Sequence, residues 1–189
     1  DRLGTFSGEV ERKDDPITTL RKKCRMAIDA SGINLAVANE GSFGAHPSVF
    51  FAHADDELVM LIDKENNIEI IERELSLETN FDATEIKSED ELIEFANKIG
   101  FPSHGIILKK EKSNYASIIK ENQTITELIE NYHRIKLEDG SAYAETDMRA
   151  MHNPTRMKII EQATRKLVNK VKSLCPHCGT PGYGVVEAV

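Results

Sequence analysis

The sequence predicts an α/β fold, a mixed β-sheet flanked by helices, with a C-terminal zinc-knuckle appendage. Three observations predict it. Short apolar runs of strand character alternate with helical stretches in places and follow one another as hairpins in others, the pattern of a mixed sheet carrying helices. Ser88 with Glu91, and Thr124 with Glu127, have the Ser/Thr-x-x-Glu spacing that opens a helix. Finally, from Pro154 to about Ser173 the apolar residues Met157, Ile160, Ala163, Leu167, Val171 and Leu174 recur at helical spacing. Lys and Arg gather toward the end of that stretch, where the helix dipole favours them. The expected division is residues 1–174 as the α/β domain and 175–189 as an incomplete CxxC tail.

In order, Gly4-Thr5-Phe6-Ser7-Gly8-Glu9 reads as a Gly-punctuated loop or short strand. Asp15-Pro16 caps a helix to about Ala30 that stops at Gly32, with Ile17, Leu20, Cys24, Ala27 and Ile28 as its buried stripe. Residues 34–39 read as a strand entering the loop Glu40-Gly41-Ser42-Phe43-Gly44-Ala45-His46-Pro47. Its small residues around one acid and one hydroxyl let backbone approach a ligand. Strands are expected over 49–53 and 58–63 across an Ala54–Glu57 turn, and residues 68–75 fit either a strand or a short helix. Further strands are expected at 81–86, 106–109 and 115–120. Between and after them lie helices, one from Ser88 to Gly100 and one from Thr124 whose inward side is Ile125, Leu128, Ile129, Tyr132 and Ile135.

Residues 142–147 can be extended, and Asn153-Pro154 then starts the last helix as N-cap and first-turn proline. Glu145, Asp147, Arg149, His152, Asn153 and Arg156 crowd into this strand-to-helix corner. Carboxylates at a strand end facing free amides at a helix start can hold a metal ion or a phosphate. An ordinary corner whose charges pair with one another has the same composition.

The 189 residues suffice for one domain or a domain with a small appendage. Thirty-two acidic against 24 basic residues leave a net charge of −8, which argues against a nucleic-acid clamp. No apolar run would span a bilayer and no signal peptide is visible. Of three cysteines, Cys175 and Cys178 form one CxxC, which suggests a reducing, cytoplasmic setting and a metal rather than a disulfide framework. Cys175-Pro-His-Cys178-Gly179 reads as a zinc knuckle with two of the four ligands zinc needs; His177 lies inside the turn, poorly placed to add a third. A redox CxxC should open a helix after a strand, whereas this one follows a helix. The start at Asp1 without a Met and the stop at Val189 in mid-motif read as a chain trimmed at both ends.

Four blocks together resemble an uncharacterised bacterial family, a domain of unknown function. They are Gly4 to Glu9, Glu40 to Gly44 with His46-Pro47, Glu145-Thr-Asp-Met-Arg-Ala150 with Asn153-Pro-Thr-Arg-Met157, and the Cys-Pro-x-Cys-Gly tail. The resemblance covers nearly the whole chain and implies longer members, with an added N-terminal strand and helix and a second CxxC. In motif order the chain is also similar to inosine-triphosphate-type and Maf-type nucleotide pyrophosphatases. Thr5, Phe6 and Glu9, the 17–30 helix, Glu40-Gly41-Ser42 and Asn153 to Arg156 stand at the corresponding places, the paired aspartates of the acidic loop being reduced to Glu40.

Two functional readings stay open. One is a divalent-metal-dependent phosphohydrolase or pyrophosphatase acting on a nucleotide or related phosphate ester. Glu40, Glu9, Glu145 and Asp147 are its catalytic and Mg²⁺- or Mn²⁺-holding acids. Ser42, Gly41, Gly44, His46, Arg149, Asn153 and Arg156 bind its substrate. The other is a non-catalytic binding or regulatory module built on a zinc ion at Cys175 and Cys178 and the basic residues Arg165, Lys166, Lys170 and Lys172. The expected partner is a small phosphate-containing ligand, without membrane or nucleic acid, and a homo-oligomer stays open. If the first reading holds, the 40–46 loop and the 145–156 corner should share one cleft at the C-terminal ends of strands of a single sheet.

Overall fold

The computed structural model describes residues 3–5, 10, 12–45, 53–112 and 118–184, with the backbone alone at Ala45 and Asp139. The fold is α/β, but its strands form two separate three-stranded sheets, one within residues 35–76 and one within residues 83–146, in place of one mixed sheet. Every strand pair in both is antiparallel. The chain divides into two compact units, Asp14–Glu78 with Lys158–Val189, and Asp1–Lys13 with Thr79–Met157.

The unit that starts at Asp14 is a sheet between two helices. Helix α1 (Pro16–Ser31) is capped by the Asp15 carboxylate, which accepts from the Thr18 amide and is held below the usual carboxylate range by the Thr18 side chain first and that amide second; Gly32 closes it in the left-handed region. β1 (Leu35–Ala45), β2 (His53–Asp63) and β3 (Ile68–Ser76) form a meander. Leu20, Cys24 and Ile28 of α1 pack on Ala36 and Met60. The opposite face, Val59 and Ile70, packs on Ala163 and Leu167 of α4 (Pro154–Lys172).

This double coverage explains why residues 68–75 fit two templates. With helices on both faces, Ile70 points to one and Ile71 to the other, so the period-2 signal of a half-buried strand disappears. The acids of β3 follow the same alternation: Glu69 pairs with Arg21 of α1 at 2.7 Å, whereas Glu72 and Glu74 pair with Lys170 and Lys166 of α4. Arg165 pairs with Glu161. The basic stripe of α4 is therefore largely offset by its own unit. Its buried seam runs Ile159, Ala163, Leu167 at spacing four, while the expected Met157 and Leu174 are exposed.

Two expectations on connections are corrected here. Residues 40–45 are strand, not loop, and Ala54 to Glu57 continue β2 instead of turning. Eleven residues of β1 face eleven of β2, from Leu35 opposite Asp63 to Ala45 opposite His53. The ladder bonds this provides outweigh the turn preference of Gly41 and Gly44. The expected strand over 49–53 lies outside the described residues but for His53, as do His46 and Pro47.

In the other unit, β4 (Ala83–Ile86) and β5 (Ile106–Lys109) flank β6 (Ala142–Thr146). Helices α2 (Glu89–Ile99) and α3 (Ile125–Asp139) cover one face, burying Ile86, Leu92, Phe95, Ile106, Leu108, Leu128, Tyr132, Ala142 and Ala144. Ser88 caps α2, and Thr124 with Glu127 closes a complete capping box on α3. Residues 113–117 of the expected 115–120 strand lie outside the described residues; Ile119 forms a single antiparallel bridge to Leu108. Among the described residues no helix is long and apolar enough to cross a membrane.

Candidate functional site

The sheet face turned away from α2 and α3 carries Lys109, Tyr143 and Glu145 beside the buried Ile107. Cross-strand register places Ile107 beside Glu145 and Lys109 beside Tyr143 on this face. Lys109 is 2% exposed, its ammonium 2.7 Å from Glu145 Oε2 and 5.9 Å from the centroid of the Tyr143 ring. The Glu145 side chain is 19% exposed. Burial pushes its carboxyl above the usual range, the Lys109 hydrogen bond and charge oppose that rise, and the charge of Asp147 adds to it.

Asp147 follows at the end of β6, 1% exposed. Its carboxylate accepts Arg149 Nε at 3.1 Å and Nη2 at 2.7 Å, and the Arg149 backbone amide at 2.9 Å. Arg149 also reaches Glu121 at 3.3 Å. A 3₁₀ turn, Ala150–His152, leads to Asn153, which is wholly buried. Asn153 Oδ1 accepts the Arg156 amide at 3.0 Å, the expected N-cap bond, while Nδ2 donates to Asn80 Oδ1 at 2.9 Å and to the Asp147 carbonyl at 3.2 Å. The buried Arg156 guanidinium donates to the Met148 carbonyl. His104 Nε2 accepts the Thr155 amide, a second cap on the first turn of α4. Gly105 threads the corner: its amide donates to the His152 carbonyl and its carbonyl accepts the Asp147 amide, both at 2.8 Å. A Cβ there would meet that of Asp147 at 3.0 Å and that of His152 at 3.1 Å, so the close approach needs glycine.

Of the expected site residues, the structure brings Glu145, Asp147, Arg149, Asn153 and Arg156 together at this corner. Glu40, Gly41, Ser42 and Gly44 lie on β1 in the other unit and on another sheet, so a single sheet end does not carry both groups. Glu9 and His46 lie outside the described residues. Glu40 is 4% exposed and faces α1, where Lys23 Nζ sits 2.5 Å from its carboxylate and 2.8 Å from the Asn39 carbonyl. β2 adds two buried acids that sequence reading passed over, Asp55 and Glu57, but the pleat turns them to the face opposite Glu40. Among the described residues no group of three or more His, Cys, Asp or Glu side chains could hold a metal ion.

Glu40 thus has an ion-pair role within its unit. Glu40→Gln is expected to lower the unfolding free energy by about 1–2 kcal/mol, less than a fully buried pair would lose because Lys23 can turn to water. Urea unfolding checks it. A variant that unfolds like wild type yet loses Mg²⁺-induced stabilisation would make Glu40 a metal ligand instead.

Lys109 is the residue the sequence reading missed. Its signal was present: a lysine ending the run Ile106-Ile107-Leu108 in a strand too short to carry it to solvent. At the C-terminal end of the chain Cys175 and Cys178 are free thiols on a tight turn. The Thr180 hydroxyl beside Cys178, 3.1 Å away, holds that thiol below its ordinary range, with Cys175 adding to the effect. A family model described as "Domain of unknown function (DUF6671)" matches residues 23–189. No curated protein and no solved structure matches the chain.

Proposed function

The chain belongs to the DUF6671 family of that description, and from its own residues we propose that it binds and hydrolyses a phosphate ester, a nucleotide or a related phosphate, on the Lys109 and Glu145 face of the β4-β6-β5 sheet. One observation carries the reading: a nearly fully buried lysine, Lys109, is held by a carboxyl that burial pushes up, Glu145, two residues before the Asp147–Arg149 fork. Structural ion pairs seldom bury a lysine so far, and perturbed acids beside cations are characteristic of sites that move protons.

In this reading Lys109 and Arg149 neutralise phosphate oxygens, Arg149 with a planar fork that Asp147 pre-orients. Glu145 transfers the proton, its raised carboxyl suited to holding one closer to neutral pH. Mg²⁺ or Mn²⁺ would arrive with the phosphate and take one protein oxygen from Asp147, leaving Glu145 for the proton, since one or two carboxylates plus substrate phosphates are its common protein setting. Free thiols in an exposed turn fit a reducing, cytoplasmic location.

Phosphate release from nucleoside mono-, di- and triphosphates and sugar phosphates, with Mg²⁺ and Mn²⁺, tests the reading. Glu145→Gln should lower kcat by roughly 10²–10⁴-fold with little change in KM, and Arg149→Met should act mainly on KM. A wild type inert across that panel removes the hydrolase and leaves a non-catalytic module built on the cysteine turn.

A further inference from the structure

The cysteine turn is a hairpin clip whose base packs on its own unit, Gly182 lying against Ile70, while residues 176–180 at its tip are exposed. Leu174 and Pro181 bridge as a minimal hairpin. The Cys175 amide donates to the Thr180 carbonyl, and the Gly179 amide to the Cys175 carbonyl, each at 2.8 Å. Gly179 takes φ 73°, the left-handed conformation that lets the turn fold back. Two further bonds fasten the clip to the last turn of α4: Gly182 N–H to the Lys170 carbonyl at 3.2 Å and Tyr183 N–H to the Ser173 carbonyl at 3.0 Å. The two cysteine side chains sit on this one turn, Cys178 exposed with its sulfur 3.1 Å from the Thr180 hydroxyl and Cys175 half-buried.

We propose that Cys175 and Cys178 are one preformed half of a tetrahedral zinc–thiolate site, completed by a second pair of thiolates from outside these 189 residues. Two thiols held together on a tight Cys-x-x-Cys-Gly turn supply half of zinc's four ligands. The chain's remaining cysteine cannot join them: Cys24 is fully buried between α1 and its sheet, with its sulfur toward the carbonyls of Ala36 and Met60. Among the described residues no third His, Cys, Asp or Glu side chain joins them in a group that could hold a metal ion. A disulfide-forming pair is the chemical rival, but a redox Cys-x-x-Cys opens a helix after a strand, whereas this turn follows α4. The missing pair can come from a second copy of the chain or from further polypeptide of the same protein.

The test measures zinc by elemental analysis and mass by light scattering, for the 189-residue chain and for the chain as its gene encodes it, both purified under reducing conditions. One zinc per two chains in a dimer assigns the second pair to a second copy. One zinc per chain in a monomer of the gene-encoded protein, with the 189-residue chain metal-poor, assigns it to further polypeptide. Either result supports the site, and cobalt titration should then give sulfur-to-metal charge-transfer absorption. Cys175→Ser and Cys178→Ser should each weaken zinc binding by more than about 100-fold, beyond what loss of an outer-shell contact does. The turn is largely exposed, so both variants should keep the wild-type unfolding midpoint of the metal-free chain. Zinc-free protein in both forms without cobalt–thiolate absorption, or zinc retained in the double Ser variant, overturns the proposal. So does a Cys175–Cys178 disulfide that persists in the presence of reductant.

Discussion

Asn153→Ala should lower the unfolding free energy by about 2–4 kcal/mol, more than an ordinary cap substitution. The cap bond to the Arg156 amide accounts for about 1 kcal/mol of that. The remainder comes from the side-chain amide, whose loss strands Asn80 Oδ1 and the Asp147 carbonyl at a wholly buried position. Asn153→Ser restores a capping oxygen without the amide donor and should recover only the first part. Asn153→Asp is the sharper comparison. Aspartate caps as well as asparagine, yet here it would face Asn80 Oδ1 and the Asp147 carbonyl with a second acceptor and a buried charge. It should therefore destabilise as much as alanine does. Urea unfolding of the three variants checks the order, and an Asp variant as stable as wild type would show that the cap alone matters.

Asn153 also shows how far the sequence reading reached. Asn-Pro ahead of a helical seam specified the cap, because that interaction is local and its partner lies three residues on. Nothing local specified Asn80, seventy-three positions earlier in the chain. The same division runs through the fold. Capping boxes, left-handed glycine stops and the tight cysteine turn were legible because each depends on a few consecutive residues. The pairing of β1 with β2 was not, since a ladder of eleven residue pairs overrode the turn preference of Gly41 and Gly44. The single mixed sheet failed for a related reason: alternation of strands and helices does not say which strands hydrogen-bond, and here they form one meander and one sheet in which the last strand, β6, inserts between β4 and β5.

In the candidate site the crowd of charges at residues 145–156 was visible, but its internal wiring was not. Charge counting treats Glu145 and Asp147 as two acids available to one metal ion. In three dimensions they sit on different cations, Lys109 and Arg149, and one of those was hidden at the end of an apolar strand. The pairing changes the question asked of each acid. An incoming ion or phosphate must rearrange an existing pair, so the strength of the Lys109–Glu145 pair becomes the quantity to measure.

Lys109→Met should make the stability of the chain fall with rising pH where wild type falls less. Glu145 has its carboxyl raised above the ordinary value of 4.5, burial outweighing the lysine. A carboxyl that holds its proton more tightly in the folded state contributes stability that is fully present below that ordinary value. The contribution is lost as pH climbs through the folded value. Methionine fills much of the lysine volume but removes both influences that lower Glu145, its hydrogen bond and its charge. The folded carboxyl must then move higher still, and each further unit costs about 1.4 kcal/mol of stability at a pH above it. Below pH ~4.5, where Glu145 is protonated in either state, the variant should match or exceed wild type, since burying an ammonium is itself costly. The double variant Lys109→Met with Glu145→Gln has no titrating group left at the pair and should lose this pH dependence. Urea unfolding from acid to neutral pH reads all three chains. Parallel profiles for wild type and Lys109→Met would mean that Lys109 does not set the protonation of Glu145, and would remove the coupled pair on which the proposed proton transfer depends.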